Sequence, residues 1–194
     1  MNIADLLIPG RRRRRRNLEL SIDGVTEVAR ARAGEMDGRS AALWNMLCDA
    51  SRETLRQLLI DNDDELLDWN LKKHIKRVND FNLVIFFWWM LLYQIVLFKT
   101  RGLAGYDPAD DAGRMHDISL RFVTAELQKM GRSSGPPSSW ADEWERQFPL
   151  ESAMSMYNSV YNLLGLSGDL TIRIQHVSHF ATITEKAYDR LSPN

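Results

Sequence analysis

Residues 81–98 read FNLVIFFWWMLLYQIVLF, eighteen residues without a charge, in which the most polar side chains are Asn82, Tyr93 and Gln94. At a rise of 1.5 Å per residue a helix of this length measures about 27 Å, close to the roughly 30 Å hydrocarbon layer of a bilayer. Cationic residues flank it on both sides: Lys72, Lys73, Lys76 and Arg77 precede it, and Lys99 and Arg101 follow it. The stretch therefore predicts a membrane-spanning helix.

The same run also fits the buried core helix of a soluble all-α domain. It is short for a span, and Trp88 and Trp89 lie at its centre, whereas membrane tryptophans prefer the interfaces. A soluble helix normally keeps one polar face, which this run lacks, and that favours the membrane. Within a membrane, Trp88, Trp89 and Gln94 indicate a span packed against other protein, where an indole N–H or an amide finds a partner.

Charge is distributed unevenly about this stretch. The chain has 25 Lys and Arg against 26 Asp and Glu, a net charge of −1. Residues 1–101 hold 17 basic and 14 acidic residues and residues 102–194 hold 8 and 12, so the two parts carry +3 and −4. Cys48 is the only cysteine, which excludes an intramolecular disulfide and a cysteine-based zinc site, and its apolar surroundings predict burial.

An arginine block follows the apolar start that Pro9 and Gly10 interrupt. Its members are Arg11, Arg12, Arg13, Arg14, Arg15 and Arg16. Such a block repels itself and is expected to stay extended unless anions neutralise it. The candidate ligands are anionic lipid, an acidic groove on a partner subunit and nucleic acid, beside a solvated arm without a ligand. Nucleic acid is the least expected, because the residues that follow are mixed in sign and lack interleaved aromatics.

Helical patterns occupy the region before the apolar stretch. Residues 19–36 predict a poor helix, strand-like at its start, which Gly24 and Gly34 interrupt. From Ser40 an amphipathic helix is predicted, because apolar residues recur at three- and four-residue steps: Leu43, Met46, Leu47, Ala50, Leu55, Leu58 and Leu59. A capping box at Asn62 and Glu65, with no Gly or Pro before Gly102, permits one helix over residues 63–101.

A loop and further helices are predicted after the apolar stretch. Residues 106–113 (YDPADDAG) predict an acidic loop whose aspartates cap a helix, since the spacing is not that of a calcium-binding EF-hand loop. That helix is predicted by Met115, Ile118, Phe122, Val123, Leu127 and Met130. Residues 131–139 (GRSSGPPSS) predict a linker. Beyond it come an aromatic ridge, a helix and a last helix over residues 170–191; the ridge consists of Trp140, Trp144 and Phe148.

Few residues suggest chemistry. His176 and His179 lie three apart on one helical face, but nearby third and fourth metal ligands are missing, so no metal site is predicted. Arg173 with His179 resembles the Arg-then-His pattern of HEPN-type ribonuclease helices, although that family usually has a polar residue where this chain has Ile174. The sequence contains no phosphate-binding glycine loop, GxSxG elbow or HExxH motif.

The sequence thus predicts an all-α protein with a single mid-chain transmembrane helix and amphipathic helices on both sides. Its predicted parts are a basic arm (1–17), an N-terminal helical region (18–80), the span (81–98), an acidic loop and helix (99–130), a linker (131–139) and a C-terminal helical region (140–194).

The predicted function is a non-catalytic accessory subunit of a membrane protein complex, with no cofactor. The predicted place is the bacterial or mitochondrial inner membrane, with the N-terminus on the cytoplasmic or matrix side, from a small excess of cations before the span. Its partners are other subunits and anionic lipid, contacted through Arg11–Arg16, Trp88, Trp89 and Gln94. The alternative is a soluble all-α domain, either a HEPN-like ribonuclease or an adaptor or effector, with residues 81–98 as its core helix.

Overall fold

The computed structural model describes residues 9–61, 80–131 and 170–191, and in these ranges the chain forms helices and short turns only. We number the α-helices α1 (Pro9–Arg30), α2 (Gly38–Arg56), α3 (Asp80–Arg101), α4 (Pro108–Lys129) and α5 (Leu170–Asp189). A short 3₁₀ helix, Ala31–Glu35, links α1 to α2, and a π-helical segment, Gln57–Asp61, follows α2. The predicted all-α class is confirmed over the described ranges.

Helix α1 corrects two predictions about the N-terminal region. The backbone is helical through Arg11–Arg16, where an extended block was expected, and also through Gly24, where a helix break or strand was expected. Arginine is a good helix former, and Arg15 pairs with Glu19 one turn later at 3.8 Å, which offsets part of the repulsion. Gly24 costs about 1 kcal/mol relative to alanine, and burial of Ile22 and Val25 on either side offsets that cost.

Helix α2 begins at a side-chain cap and lies against α1. Asp37 caps it by accepting hydrogen bonds from the backbone N–H groups of Arg39 and Ser40 at 3.0 and 2.9 Å. The apolar face predicted from Ser40 onward is buried, including Leu43, Leu47, Cys48 and Leu55, each at most 1% exposed. The predictions of an amphipathic helix and of a buried Cys48 are therefore confirmed.

The apolar stretch forms α3 and lies at the centre of the bundle. Every residue from 83 to 98 is buried, with exposures of 0–7%. The helix continues to Arg101 and ends at Gly102, whose φ of +72° is the left-handed conformation that glycine adopts without strain. α1, α2, α4 and α5 all contact α3, so protein surrounds it. α3 is also the described helix that is long and apolar enough to cross a membrane.

Helix α4 runs antiparallel to α3. Phe98 near the end of α3 contacts Tyr106 just before α4, and Phe87 near the start of α3 contacts Phe122 near the end of α4, with ring centroids 6.3 and 5.8 Å apart. Asp107 caps α4 by accepting the N–H of Ala109 at 2.9 Å, which confirms the predicted capping role. The predicted acidic loop is shorter than residues 106–113, because Pro108 pre-sets a helical φ and α4 starts there.

Helix α5 runs parallel to α3 along its second half. Tyr93 contacts the ring of Phe180 at 5.8 Å, and further along both helices Arg101 pairs with Asp189 at 3.1 Å. The predicted last helix is confirmed, and it ends at Asp189, two residues before the expected boundary.

Several predictions fall on residues outside the described ranges. They concern residues 62–79 and 132–169, together with the start of the chain. These predictions are the capping box at Asn62 and Glu65, the continuation of one helix over 63–101, the linker over residues 132–139, and the ridge of Trp140, Trp144 and Phe148.

Candidate functional site

The tryptophans at the middle of α3 lie inside the bundle. Trp88 is 1% exposed, and its indole N–H donates to the Ser119 hydroxyl of α4 at 3.4 Å. Trp89 is 4% exposed, with its ring 6.5 Å from that of Phe86. An indole buried in an apolar core loses water and needs a polar partner, which Ser119 supplies to Trp88 from within the same chain.

Gln94 is the most polar side chain on the buried part of α3. It is 0% exposed, and its Nε2 donates to the backbone oxygen of Thr184 on α5 at 3.1 Å and to the Thr54 hydroxyl of α2 at 3.4 Å. Its Oε1 has no hydrogen-bond partner among the described residues. Gln94 therefore links α3 to α2 and α5, while its own Oε1 stays unsatisfied among the described residues. Because the cost of that acceptor offsets the hydrogen bonds, Gln94 orients the helices more than it raises the free energy of unfolding.

Replacing Gln94 with leucine is expected to change the free energy of unfolding by at most about 1 kcal/mol, in either direction. Leucine fills a similar volume and removes both the hydrogen bonds and the unsatisfied Oε1. Gln94→Ala is the matched control: it leaves a cavity and is expected to lose about 2–4 kcal/mol. Urea unfolding followed by circular dichroism measures both. A loss above about 3 kcal/mol for Gln94→Leu would show that the amide is fully satisfied in the folded protein.

A cluster of charges joins the start of α2 to the start of α4. Arg39 lies 3.6 Å from the carboxylate of Asp111, which is buried and also accepts the N–H of Asp107 at 3.0 Å. The Arg39 guanidinium lies over the Tyr106 ring at 5.2 Å. This cluster holds the turn between α3 and α4 against α2, and a cation over an aromatic ring adds about 0.5–1 kcal/mol at such a site.

The Asp37 cap predicts acid sensitivity of α2. Hydrogen bonds from the backbone and hydroxyl of Ser40 hold the pKa of Asp37 below its ordinary value of 3.8. Because the folded pKa is depressed, this stabilisation is complete above 3.8 and is lost as pH falls through the folded pKa. Asparagine caps equally well and does not titrate. Asp37→Asn is therefore expected to lose less stability than wild type between about pH 4 and pH 2, in urea unfolding at each pH. Equal losses would contradict the cap.

A second cluster fastens the end of α3 to α5. Arg101 pairs with Glu185 and Asp189 at 2.8 and 3.1 Å, and the hydrogen bond to Glu185 raises the pKa of Arg101. The Tyr188 hydroxyl donates to the carbonyl of Gly102 at 2.7 Å, and burial raises the pKa of Tyr188 to about 12. Arg101, one of the cations that flank the apolar stretch in sequence, is thus paired within the chain.

The arginine block is the remaining predicted site. Arg13 and Arg16 are exposed, and within the described part of the chain neither is paired with a carboxylate. The structure does not describe the side chains of Arg11, Arg12 and Arg14. The described arginines Arg13 and Arg16 are exposed on the first half of α1, whereas Trp88 and Gln94 are buried in the core, so these predicted contact residues form two separate groups.

The candidate metal-binding residues His176 and His179 lie on α5, as does Arg173, which forms the ribonuclease-like pair with His179. The side chains of these three residues are outside the described part of the structure. Among the residues that were described, no group of three His, Cys, Asp or Glu side chains is placed to hold a metal ion.

An open depression of about 470 Å³ lies between α1 and α2 and is lined by Glu27, Arg30, Ala31, Asn45 and Asp49. Arg30 pairs there with both Glu27 and Asp49. The Arg30–Asp49 pair joins α1 to α2 across the depression.

Two features of the site were missed by sequence analysis. Trp44, 0% exposed, donates its indole N–H to the carbonyl of Ala29 at 2.8 Å and so attaches α2 to α1. Thr54 and Thr184 supply the polar surroundings of Gln94. Trp44 was detectable, because it lies beside Leu43 on the apolar face of α2; the threonines carried no signal, because each also bonds within its own helix.

Comparisons with family models, with curated proteins and with solved structures found no match to this chain.

Proposed function

We propose that this protein is a non-catalytic helical interaction protein. Its bundle encloses α3 as its own core, and its role is to present surfaces to partners. The enclosure of α3 carries the proposal: residues 83–98 are all buried, against four helices of the same chain. A second support is α1, whose first half carries six arginines in sequence, of which Arg13 and Arg16 are exposed.

The depth of the charges around α3 favours a core helix over a span. Gln94 lies about 7 Å from the middle of the apolar stretch, well inside a hydrocarbon layer centred there. Its partner Thr54 comes directly after Arg52 and Glu53 in the sequence. Arg52 pairs with Asp23 at 2.6 Å, and Glu53 pairs with Arg190 at 2.9 Å. Each charge near mid-membrane costs about 2.5–3.5 kcal/mol or more. The folded bundle therefore cannot keep its contacts around α3 while α3 spans a bilayer.

Behaviour without detergent tests the proposal. The full chain is expected to purify without detergent as a monodisperse species and to show the cooperative unfolding of a packed core. Aggregation in every detergent-free buffer, with recovery on adding detergent, would contradict it. A matched control is Leu20→Ser, which removes the most exposed large apolar side chain of the described residues and leaves the bundle intact. It separates association through surface apolar groups from exposure of α3.

The second candidate is an accessory subunit of a membrane complex, with α3 as its span. The length and all-round apolarity of α3 favour it. In this candidate the N-terminus lies on the cytoplasmic or matrix side of an inner membrane, and Trp88, Trp89 and Gln94 contact other subunits. Resistance to carbonate extraction supports it, and so does loss of partners in mild detergent for Gln94→Leu with insertion unchanged. Full release by carbonate contradicts it.

A further inference from the structure

The first half of α1 carries two exposed arginines, Arg13 and Arg16, that pair with no described carboxylate. We call Arg11–Arg16 the arginine arm. Leu18 is the first described side chain of α1 that packs against the core, and Ile22 is the first that is fully buried. The nine helical residues before Leu18 extend for about 13 Å. The arginine arm is therefore held on a helix rather than on a free chain.

Helix geometry concentrates this charge. At 1.5 Å per residue the six arginine positions occupy about 9 Å of helix axis, spread around it at 100° steps. The described carboxylate that pairs with them is Glu19, 3.8 Å from Arg15, and both side chains are 37% exposed. Such an exposed pair contributes little, and the exposed Arg13 and Arg16 remain for external anions. A ligand with many closely spaced negative charges fits this density.

An exposed apolar side chain accompanies the arginines. Leu20 is 60% exposed, and on α1 it lies within about 40° of both Arg13 and Arg16. The sequence directly ahead of the arginine arm is also apolar, with Ile3, Leu6, Leu7 and Ile8. Arginines combined with apolar residues on one short segment match a lipid interface, where phosphates meet acyl chains.

The same surroundings fit nucleic acid poorly. The part of α1 that follows the arginine arm carries no further basic residue before Arg30, so a polyanion lying along the helix would find few cations beyond the arm. A phosphate backbone also offers no apolar contact for Leu20. We propose that the arginine arm binds an anionic phospholipid surface, with phosphates on Arg13 and Arg16 and with Leu20 at the headgroup boundary. This inference rests on the proposed interaction function, for which it gives an anionic membrane surface as the partner. It does not require α3 to leave the bundle.

Vesicle sedimentation tests the arm directly. The full chain is expected to sediment with phosphatidylcholine vesicles containing about one third phosphatidylglycerol, and not with pure phosphatidylcholine. Serine at all six positions of Arg11–Arg16 is expected to reduce binding at least about tenfold, and raising the salt from about 50 to 300 mM is expected to release the wild type. Lysine at the six positions is the matched control, because it keeps the charge, and is expected to bind. Binding of the serine variant at the wild-type level would overturn the proposal.

A fluorescent label at position 20 distinguishes lipid from other polyanions. Cys48 is fully buried and burial raises the pKa of its thiol, so Leu20→Cys provides the reactive thiol of the described chain for an environment-sensitive dye. A blue shift is expected with anionic vesicles and not with single-stranded RNA. Tighter binding to RNA than to vesicles at equal salt, or an unshifted dye on bound vesicles, would overturn the lipid assignment.

The two proposals fail in different ways. If the protein requires detergent but the arginine arm still controls vesicle binding, the bundle proposal fails alone. If the protein is monodisperse without detergent and binds no vesicles, the lipid assignment fails alone. Binding that persists in high salt and in the serine variant indicates insertion of α3, which contradicts both.

Discussion

Truncation of Phe122 to alanine is expected to lower the free energy of unfolding by about 3–5 kcal/mol. Phe122 is 0% exposed, and its ring meets that of Phe87 edge-on, with centroids 5.8 Å apart. The substitution removes a large apolar side chain from the contact between α3 and α4 and leaves a cavity there. Chemical denaturation of the purified protein measures the loss, and Phe122→Leu is the milder control, because leucine refills part of the volume.

A double-mutant cycle with Phe87 assigns that loss to the α3–α4 contact. Phe87→Ala and Phe122→Ala together are expected to cost less than the sum of the two, with a coupling of about 0.5–1.5 kcal/mol. Phe180 is the matched control, because its ring contacts Tyr93 on α3 instead of Phe122, so Phe122→Ala with Phe180→Ala is expected to be nearly additive. Zero coupling between Phe87 and Phe122 would show that α4 does not pack on α3, as a membrane-spanning α3 requires.

The helices were predictable where local chemistry decides the structure. Asp107 followed by Pro108 places the start of α4, and Gly102 with positive φ places the end of α3, because each residue favours one backbone conformation. Periodic apolar residues predicted α2, α4 and α5, because a helix places positions i, i+3 and i+4 on one face that can be buried. Such signals depend on neighbours within a turn or two and need no knowledge of the fold.

The helical arginine arm was not predicted, because two local effects oppose each other. Like charges favour an extended chain, whereas the helix propensity of arginine and the connection to the buried part of α1 favour a helix. The strand-like start expected near Leu20 failed for a related reason. Ile22, Val25 and Ala29 recur at helical spacing, and packing against Trp44 outweighs the cost of Gly24.

The environment of α3 depends on the rest of the fold. A helix that is apolar on every side satisfies a bilayer and a four-helix enclosure equally well, since both remove its whole surface from water. The position of Arg52 and Glu53 relative to α3 distinguishes the bilayer from the four-helix enclosure, because both lie level with the middle of α3. Their position follows from the contact of Thr54 with Gln94, which lies forty residues further along the chain. Single-residue patterns carry no information on such a contact. The same holds for the Arg101 cluster, whose acidic partners lie on α5.

Truncation of Trp44 is expected to be as costly as that of Phe122 and to act mainly on α1. Trp44 is 0% exposed, and its indole N–H donates to the Ala29 carbonyl at 2.8 Å, near the end of α1 where backbone carbonyls lack helical partners. Trp44→Ala is expected to lose about 3–5 kcal/mol, because it removes the largest side chain between α1 and α2. Trp44→Phe keeps most of the volume and loses the hydrogen bond, so about 1–3 kcal/mol is expected.

Hydrogen exchange locates the effect. Amides of α1 from Ile22 to Arg30 are expected to exchange faster in Trp44→Ala than in wild type, by a larger factor than amides of α3, because α1 loses its main attachment while α4 and α5 still enclose α3. The arginine arm keeps its charge in this variant, so a fall in vesicle binding alongside faster exchange would mean that lipid binding needs the arm held in place by the bundle. Uniform acceleration of all five helices would instead show that α1 unfolds only with the whole protein, and that Trp44 belongs to one cooperative core with α3.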